Sequence, residues 1–241
     1  MSSLEDGKIG EQKYTPPKIA NPAPLGLCGF ALTTFVLSIH NAGSPNVQSA
    51  DIVTGLAFFY GGLAQLLAGM WEFKTGNTFG ATAFSSYGAF WLSFGAILTI
   101  KPAGPVDPIA SAHAVGIFLL GWTIFTFILF LATFRSSVGI MSLFFFLTMT
   151  FLLLTLGKFF QLDQTPVNGI TKAGGVFGVI TALIAWYNAL AGLLTPETSY
   201  FTLPTISLNL KRRLYGKKVT MYNSMLFGSN GSNGSNCFFE Y

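Results

Sequence analysis

Residues 113–134 read HAVGIFLLGWTIFTFILFLATF, and after Arg135-Ser136-Ser137 the chain resumes over 138–156 with VGIMSLFFFLTMTFLLLTL. Each arm runs about 20 residues without a charge, enough to cross the roughly 30 Å hydrocarbon core of a bilayer as a helix. The link between them is too short to cross back, so the two arms form an antiparallel hairpin of membrane spans. Working outward, the same pattern recurs over 25–43, 52–71, 82–100 and 173–194. Asp51 and Glu72 bracket the second span, Lys74 and Lys101 the third, Lys172 and Glu197 the sixth. The expectation is an all-α membrane protein with six transmembrane helices.

Composition agrees. Of 241 residues 51% are apolar and 9% charged, against roughly 25% charged in an average soluble domain. Mean hydropathy is +0.56, and Phe occurs 25 times. A soluble enzyme, a disordered chain and a nucleic-acid binder are excluded. The net charge of +4 does not change this, because five of the thirteen Lys/Arg cluster between Lys211 and Lys218, a membrane-flanking position. The two cysteines, Cys28 and Cys237, suggest no disulfide framework. Residues 1–20 alternate acids, bases and prolines and show no signal-peptide pattern. The longest connection, 157–172, is too short for a soluble domain.

Lys and Arg assign the sides. Lys8, Lys13, Lys18, Lys74, Arg135 and the 211–218 cluster share the side of the termini, whereas Lys101, Lys158 and Lys172 lie opposite. Both termini are therefore expected in the cytoplasm. The domain reading is a tail over 1–20, a transport domain over 21–203, and a basic, then GSN-rich, tail over 204–241.

Small residues repeat at heptad spacing: Gly55, Gly62 and Gly69; Ala81, Gly88 and Gly95; Gly175, Ala182 and Ala189. Such stripes let helices approach closely in lipid. No Asp, Glu, Lys or Arg falls near the middle of a span, and His40 and His113 fall at span ends. A Schiff-base lysine, paired haem histidines and a buried acid protease pair are all missing, so neither an enzyme nor a cofactor or metal site is expected. The interior holds neutral polar groups instead: Thr33, Thr34, Gln65, Ser85, Ser86, Tyr87, Thr148 and Asn188. Gln65 demands a partner or water, and serves either an interhelical hydrogen bond or a pore.

At the first span the chain reads NPAPLGL over 21–27, with Asn21 as a capping residue and Pro22 and Pro24 in a tolerated first turn. That turn is either a plain cap or a helix end offering amides to a carboxylate. Together with FYGGLAQ over 59–65 and GNTFGATAFSSYGAFW over 76–91, this motif resembles the acetate uptake transporter family, which includes bacterial succinate–acetate permeases and fungal acetate and ammonia-export proteins. The resemblance covers roughly residues 20–203. It implies a urea-channel-like bundle assembled as a homohexamer in the plasma membrane, each protomer with its own pore for acetate and other small monocarboxylates, with succinate in some members. It implies a constriction of Phe30, Tyr87 and Leu147, a pore-facing amide at Gln65, and a small pore-lining position at Ala185. The candidate substrate-binding set is therefore Asn21, Pro22, Pro24, Leu25, Gly26, Phe30, Thr33, Gln65, Tyr87, Leu147 and Ala185. Protons are the expected co-travellers and lipid the expected surroundings. The alternatives are an ammonia or ammonium exporter and a non-transporting sensor. Channel and proton symporter stay open.

The tail carries its own topology reporter. Asn230-Gly-Ser232 and Asn233-Gly-Ser235 are glycosylation sequons. With the C-terminus in the cytoplasm, neither is modified in a eukaryotic host. A glycosidase-sensitive mass shift that disappears on replacing both Asn would reverse the orientation.

Overall fold

Four helices start on a side chain that closes their first turn. Asn77 Oδ1 accepts the Gly80 amide at 3.0 Å, and the Asp107 carboxylate accepts those of Ile109 and Ala110 at 3.1 and 3.3 Å. Ser137 Oγ accepts from Ile140 at 3.3 Å, and Asn168 Oδ1 from Thr171 at 2.9 Å. First-turn amides have no helical partner. Hydrocarbon supplies none either. These caps therefore decide where these four helices begin.

The computed structural model describes residues 19–44, 50–100, 104, 107–161 and 167–209. Among them, six helices are long and apolar enough to cross a membrane. They are α1 (Ala23–Asn41), α2 (Ala50–Thr75), α3 (Thr78–Thr99), α4 (Pro108–Ala132), α5 (Val138–Phe159) and α6 (Gly169–Leu193). This is a multi-pass, all-helical membrane protein, with number and order as expected. α4 starts at 108 rather than 113, and α6 at 169 rather than 173, each directly after its capping side chain, Asp107 or Asn168. The expected 157–172 loop shrinks accordingly. The 1–18 tail, Lys101, the basic cluster, Cys237 and the GSN-rich stretch with its sequons lie outside the described residues.

α2 is not uniform. A 3-10 turn (Ala50–Val53) leads into α-helix (Thr54–Phe58), then a π-helical turn (Phe59–Ala64), then α-helix again from Gln65. A π turn widens the helix locally and resets which residues face inward. It also carries Gly61 against α1, where a Cβ would lie 2.5 Å from Thr33 Oγ1, and Gly62 against Leu92 of α3.

The helices pack in an arc, with α3 on α2, α2 on α1, α1 on α6, α6 on α5 and α5 on α4. The arc closes through rings, not backbone. Tyr87 of α3 meets Trp122 of α4 at 6.0 Å, and Phe90 stacks on Phe118 at 5.8 Å. The small-residue stripes make the backbone contacts. Gly88 lies against the Leu66 backbone, Gly95 against the Phe58 ring, and Gly175 against Asn41 and Ala42, whereas Gly55 faces open space.

One expectation needs correction. Glu72 does not flank the second span; it lies inside α2 at 1% exposure. Asn77 Nδ2 donates to its Oε2 at 2.8 Å. Beyond α6 the chain returns to the α4–α5 turn. Val138 donates to Ile206 O at 2.9 Å and Leu208 to Ser136 O at 2.8 Å. Tyr187 Oη donates to Pro204 O at 2.7 Å.

Gly88→Ala should destabilise the protein by about 1–3 kcal/mol, the usual overpacking penalty, because its Cβ would sit 2.8 Å from the Leu66 amide nitrogen. Gly121→Ala meets nothing within 4 Å and serves as the control. Thermal unfolding in detergent reads both. Equal midpoints would show that α2 and α3 can separate freely.

Candidate functional site

Phe30 on α1, Tyr87 on α3 and Leu147 on α5 converge inside the arc, all buried. The Phe30 and Tyr87 rings are 5.8 Å apart. Tyr87 is held from three further directions. It stacks on Phe151 at 6.5 Å, meets Phe125 edge-on at 5.7 Å, and shares a 2.8 Å hydrogen bond with Thr126 Oγ1. A buried phenol needs such a partner, and this one fixes the ring's position.

The three residues stand between two cavities. One, of about 410 Å³, opens on the face opposite the termini. Phe30, Thr34, Trp91, Leu147 and Phe151 form part of its walls, while His40, Lys158 and Gln161 lie where it opens. The second, of about 30 Å³, lies toward the termini and is lined by Leu27, Phe30, Gln65, Gly80, Tyr87 and Leu147 among others. That is room for about one water. Phe30 and Leu147 line both spaces, so a thin apolar partition separates them.

Gln65 enters the smaller cavity as the first residue after the π turn. It is 1% exposed, and its Oε1 has no hydrogen-bond partner. Thr34 Oγ1 and Trp91 Nε1 are likewise buried without partners, and both residues line the larger cavity. Several other interior polar groups are satisfied within their own helices. Thr33 donates to Gly29 O at 2.8 Å, Thr148 to Phe144 O at 2.7 Å, and Asn188 to Ile184 O at 2.8 Å.

Phe30, Gln65, Tyr87 and Leu147 thus come together. The rest of the expected set does not line either cavity. Asn21 Oδ1 accepts the Ala23 amide at 3.0 Å. Pro22 and Pro24 carry no amide proton, and Gly26 donates to Pro22 O. Only the Leu25 amide is left for an anion, and Leu25 faces outward at 46% exposure. Pro24 packs where Gly192 of α6 has no side chain, and Gly26 lets the Phe84 ring lie against α1. Thr33 and Ala185 are fully buried, Thr33 at the α1–α2 contact and Ala185 within the apolar core.

Sequence reasoning missed Lys158, taken as a flank. It sits in the last turn of α5 and lines the larger cavity. The signal was present in the loop length: a helix running past Leu156 carries Lys158 with it.

A ring of six spans around an apolar partition, with solvent-sized space on both sides, defines a membrane pore or carrier protomer. Residues 5–210 match the GPR1/FUN34/yaaH family, and the chain belongs to that family. It is 50% identical to ammonia transport outward protein 2 of Saccharomyces cerevisiae over 79% of this chain and 67% of that one. It is 50% identical to acetate permease A of Emericella nidulans over 78% and 66%. The alignments therefore span about two thirds of these fungal relatives. With the succinate-acetate/proton symporter SatP of Escherichia coli it shares 39% identity over 78% and 95%. The solved structure of the bacterial acetate channel SatP superposes with a TM-score of 0.67 at 38% identity, covering 78% of this chain and 99% of that one.

The Tyr87–Thr126 bond is testable by a double-mutant cycle. Tyr87→Phe and Thr126→Val should each cost about 1–3 kcal/mol of stability by orphaning a buried partner. The double variant should recover part of that loss. Additive losses in thermal unfolding would show that the bond does not hold the ring.

Proposed function

We propose that each protomer passes acetate and other small monocarboxylates across the plasma membrane, with both termini cytoplasmic and the protomers assembled as a hexamer. The observation that carries this is the apolar partition of Phe30, Tyr87 and Leu147 between the two cavities. Taking a carboxylate out of water costs several kcal/mol, whereas the neutral acid loses far less. Such a partition favours the protonated cargo, or an anion travelling with a proton. Lys158 at the wide cavity gathers carboxylates from the opposite face, and Gln65 offers a hydrogen bond beyond the partition. The names of the acetate permease and succinate-acetate symporter relatives support the same reading. The ammonia reading rests on a relative's name. A lysine lining the entry disfavours the ammonium cation.

Uptake of labelled acetate into proteoliposomes, with ammonium as control, tests the proposal. Acids of this type titrate near about 4, so the neutral fraction rises about tenfold for each unit of falling pH above that. Protein-dependent uptake should therefore increase as external pH falls from about 7 to about 5. Leu147→Ala and Phe30→Ala should admit lactate, as should Ala185→Gly by loosening the core. Variants that reach the membrane and keep the parent substrate range would show that the partition does not set selectivity. Ammonium flux without acetate flux would favour the exporter.

A further inference from the structure

The transport reading leaves one buried ionisable group without a task. Glu72 is fully buried on α2, two helical turns beyond Gln65. Its two oxygens face different surroundings. Oε2 accepts from Asn77 Nδ2 at 2.8 Å and lies 3.3 Å from the hydroxyl of Thr75, which is exposed at the end of α2. Oε1 is buried with no hydrogen-bond partner.

The carboxyl group lies close behind the path. Gly80 lines the smaller cavity, and a Cβ there would lie 3.1 Å from the Glu72 carboxyl carbon. The carboxyl is thus one glycine away from the cavity wall. Between Gln65 and Glu72 on the same face of α2 comes Gly69, and opposite it stands Ser85, whose Oγ is also buried and unpartnered. Gln65, Ser85 and Glu72 lie along α2 and the α3 surface facing it, each with a buried polar atom that has no partner, as Thr34, Trp91 and His113 have elsewhere among the described residues. A buried polar atom left open calls for an explanation, and a role in the chemistry is one.

The helices packed on α2 offer little competition. α3 carries Tyr87 as its one titratable group, α1 carries Cys28 and His40, and α2 itself adds Asp51, Tyr60 and exposed Lys74. None of them is a hydrogen-bond partner of the carboxyl.

We propose that Glu72 receives the cargo's proton across the smaller cavity, from cargo at the partition, and passes it to the face of the termini through Thr75. This rests on the acetate-transport reading and adds the group that handles the proton. Cargo that has reached the partition as the acid gives up its proton: its O–H bond breaks, an O–H bond forms at Glu72, and the cargo leaves as carboxylate. Release to solvent past the Thr75 hydroxyl restores the Glu72 carboxylate. Acidifying the face of the termini keeps Glu72 protonated and blocks the transfer.

The test is the initial rate of labelled acetate entry into proteoliposomes with the termini facing the lumen. External pH is held at about 5.5 while lumenal pH is varied from about 7.5 to about 5.5. The wild-type rate should fall about tenfold over that range, the carboxyl titrating from the lumenal side. Glu72→Gln can still accept from Asn77 but cannot exchange a proton. Its rate should be low and flat, and Glu72→Asp should restore the dependence. A Gln variant with the wild-type lumenal dependence overturns the proposal. If that variant fails to reach the membrane, Thr75→Val decides: a flattened curve supports the relay, and an unchanged curve rejects it. A wild-type protein that takes up no acetate at any pair of pH values overturns the transport reading, and this one with it.

Discussion

Hydrocarbon supplies no hydrogen bonds, and the rest of this structure depends on that. Every backbone amide and carbonyl in a span must be closed within the protein, which permits helices and little else. The same demand reaches the side chains. Thr33, Thr148, Thr150 and Thr181 each return their hydroxyl to the carbonyl one turn back. Helix starts are closed by Asn77, Asp107, Ser137 and Asn168. Against so consistent a background, the exceptions locate the chemistry. Of the open acceptors and donors, those at Thr34, Gln65, Ser85, Glu72 and Trp91 lie at the two cavities or along the α2–α3 seam, and His113 Nε2 on α4 lies apart.

Packing follows from the same solvent. Lipid is as apolar as leucine, so helices associate by fit and not by hydrophobicity. Glycine at 88, 175 and 178 lets backbones touch neighbouring helices, which draws α1, α2, α3 and α6 tightly together. α3 and α4 are held apart by rings, and that is where Tyr87, Phe90, Trp122 and Phe151 fill space. Tyr87 brings the partition to this loosest seam of the arc, where it meets Phe30 of α1 and Leu147 of α5. Tyr87, fixed by Thr126, is the rigid part of it. Phe30 and Leu147 carry no such tether.

Much of this was legible in the sequence. Six spans follow from charge-free runs, and heptad small residues forecast the close contacts. Phe30, Gln65, Tyr87 and Leu147, singled out through the family resemblance, lie together around the smaller cavity. What stayed hidden had physical causes. The π turn at Phe59–Ala64 leaves no trace in hydropathy, since it changes the facing of residues and not their polarity. Glu72 was mistaken for a flank because a charge ends a hydropathy window wherever the helix itself ends. The 21–26 motif suggested an anion site, yet two prolines and the Asn21 cap consume nearly all the amides that such a site would need. Its conspicuous residues serve a joint between α1 and α6.

The placement of Glu72 also reconciles two demands that conflict on a single axis. A charge in the permeation path would bind cargo electrostatically or repel it, and would hold water where dehydration does the selecting. A path with no ionisable group would leave the cargo to release its proton unaided. Setting the carboxyl behind Gly80, beside the path rather than in it, keeps the partition apolar and still puts an acceptor within reach of the space just past it. Glycine is required at that position for the same reason. Any side chain there would meet both Asn77 and the Glu72 carboxyl, closing the window between them. The dry partition and the off-axis acid are then complementary. The first admits cargo on condition that it carries a proton, and the second removes the proton once the condition has been met.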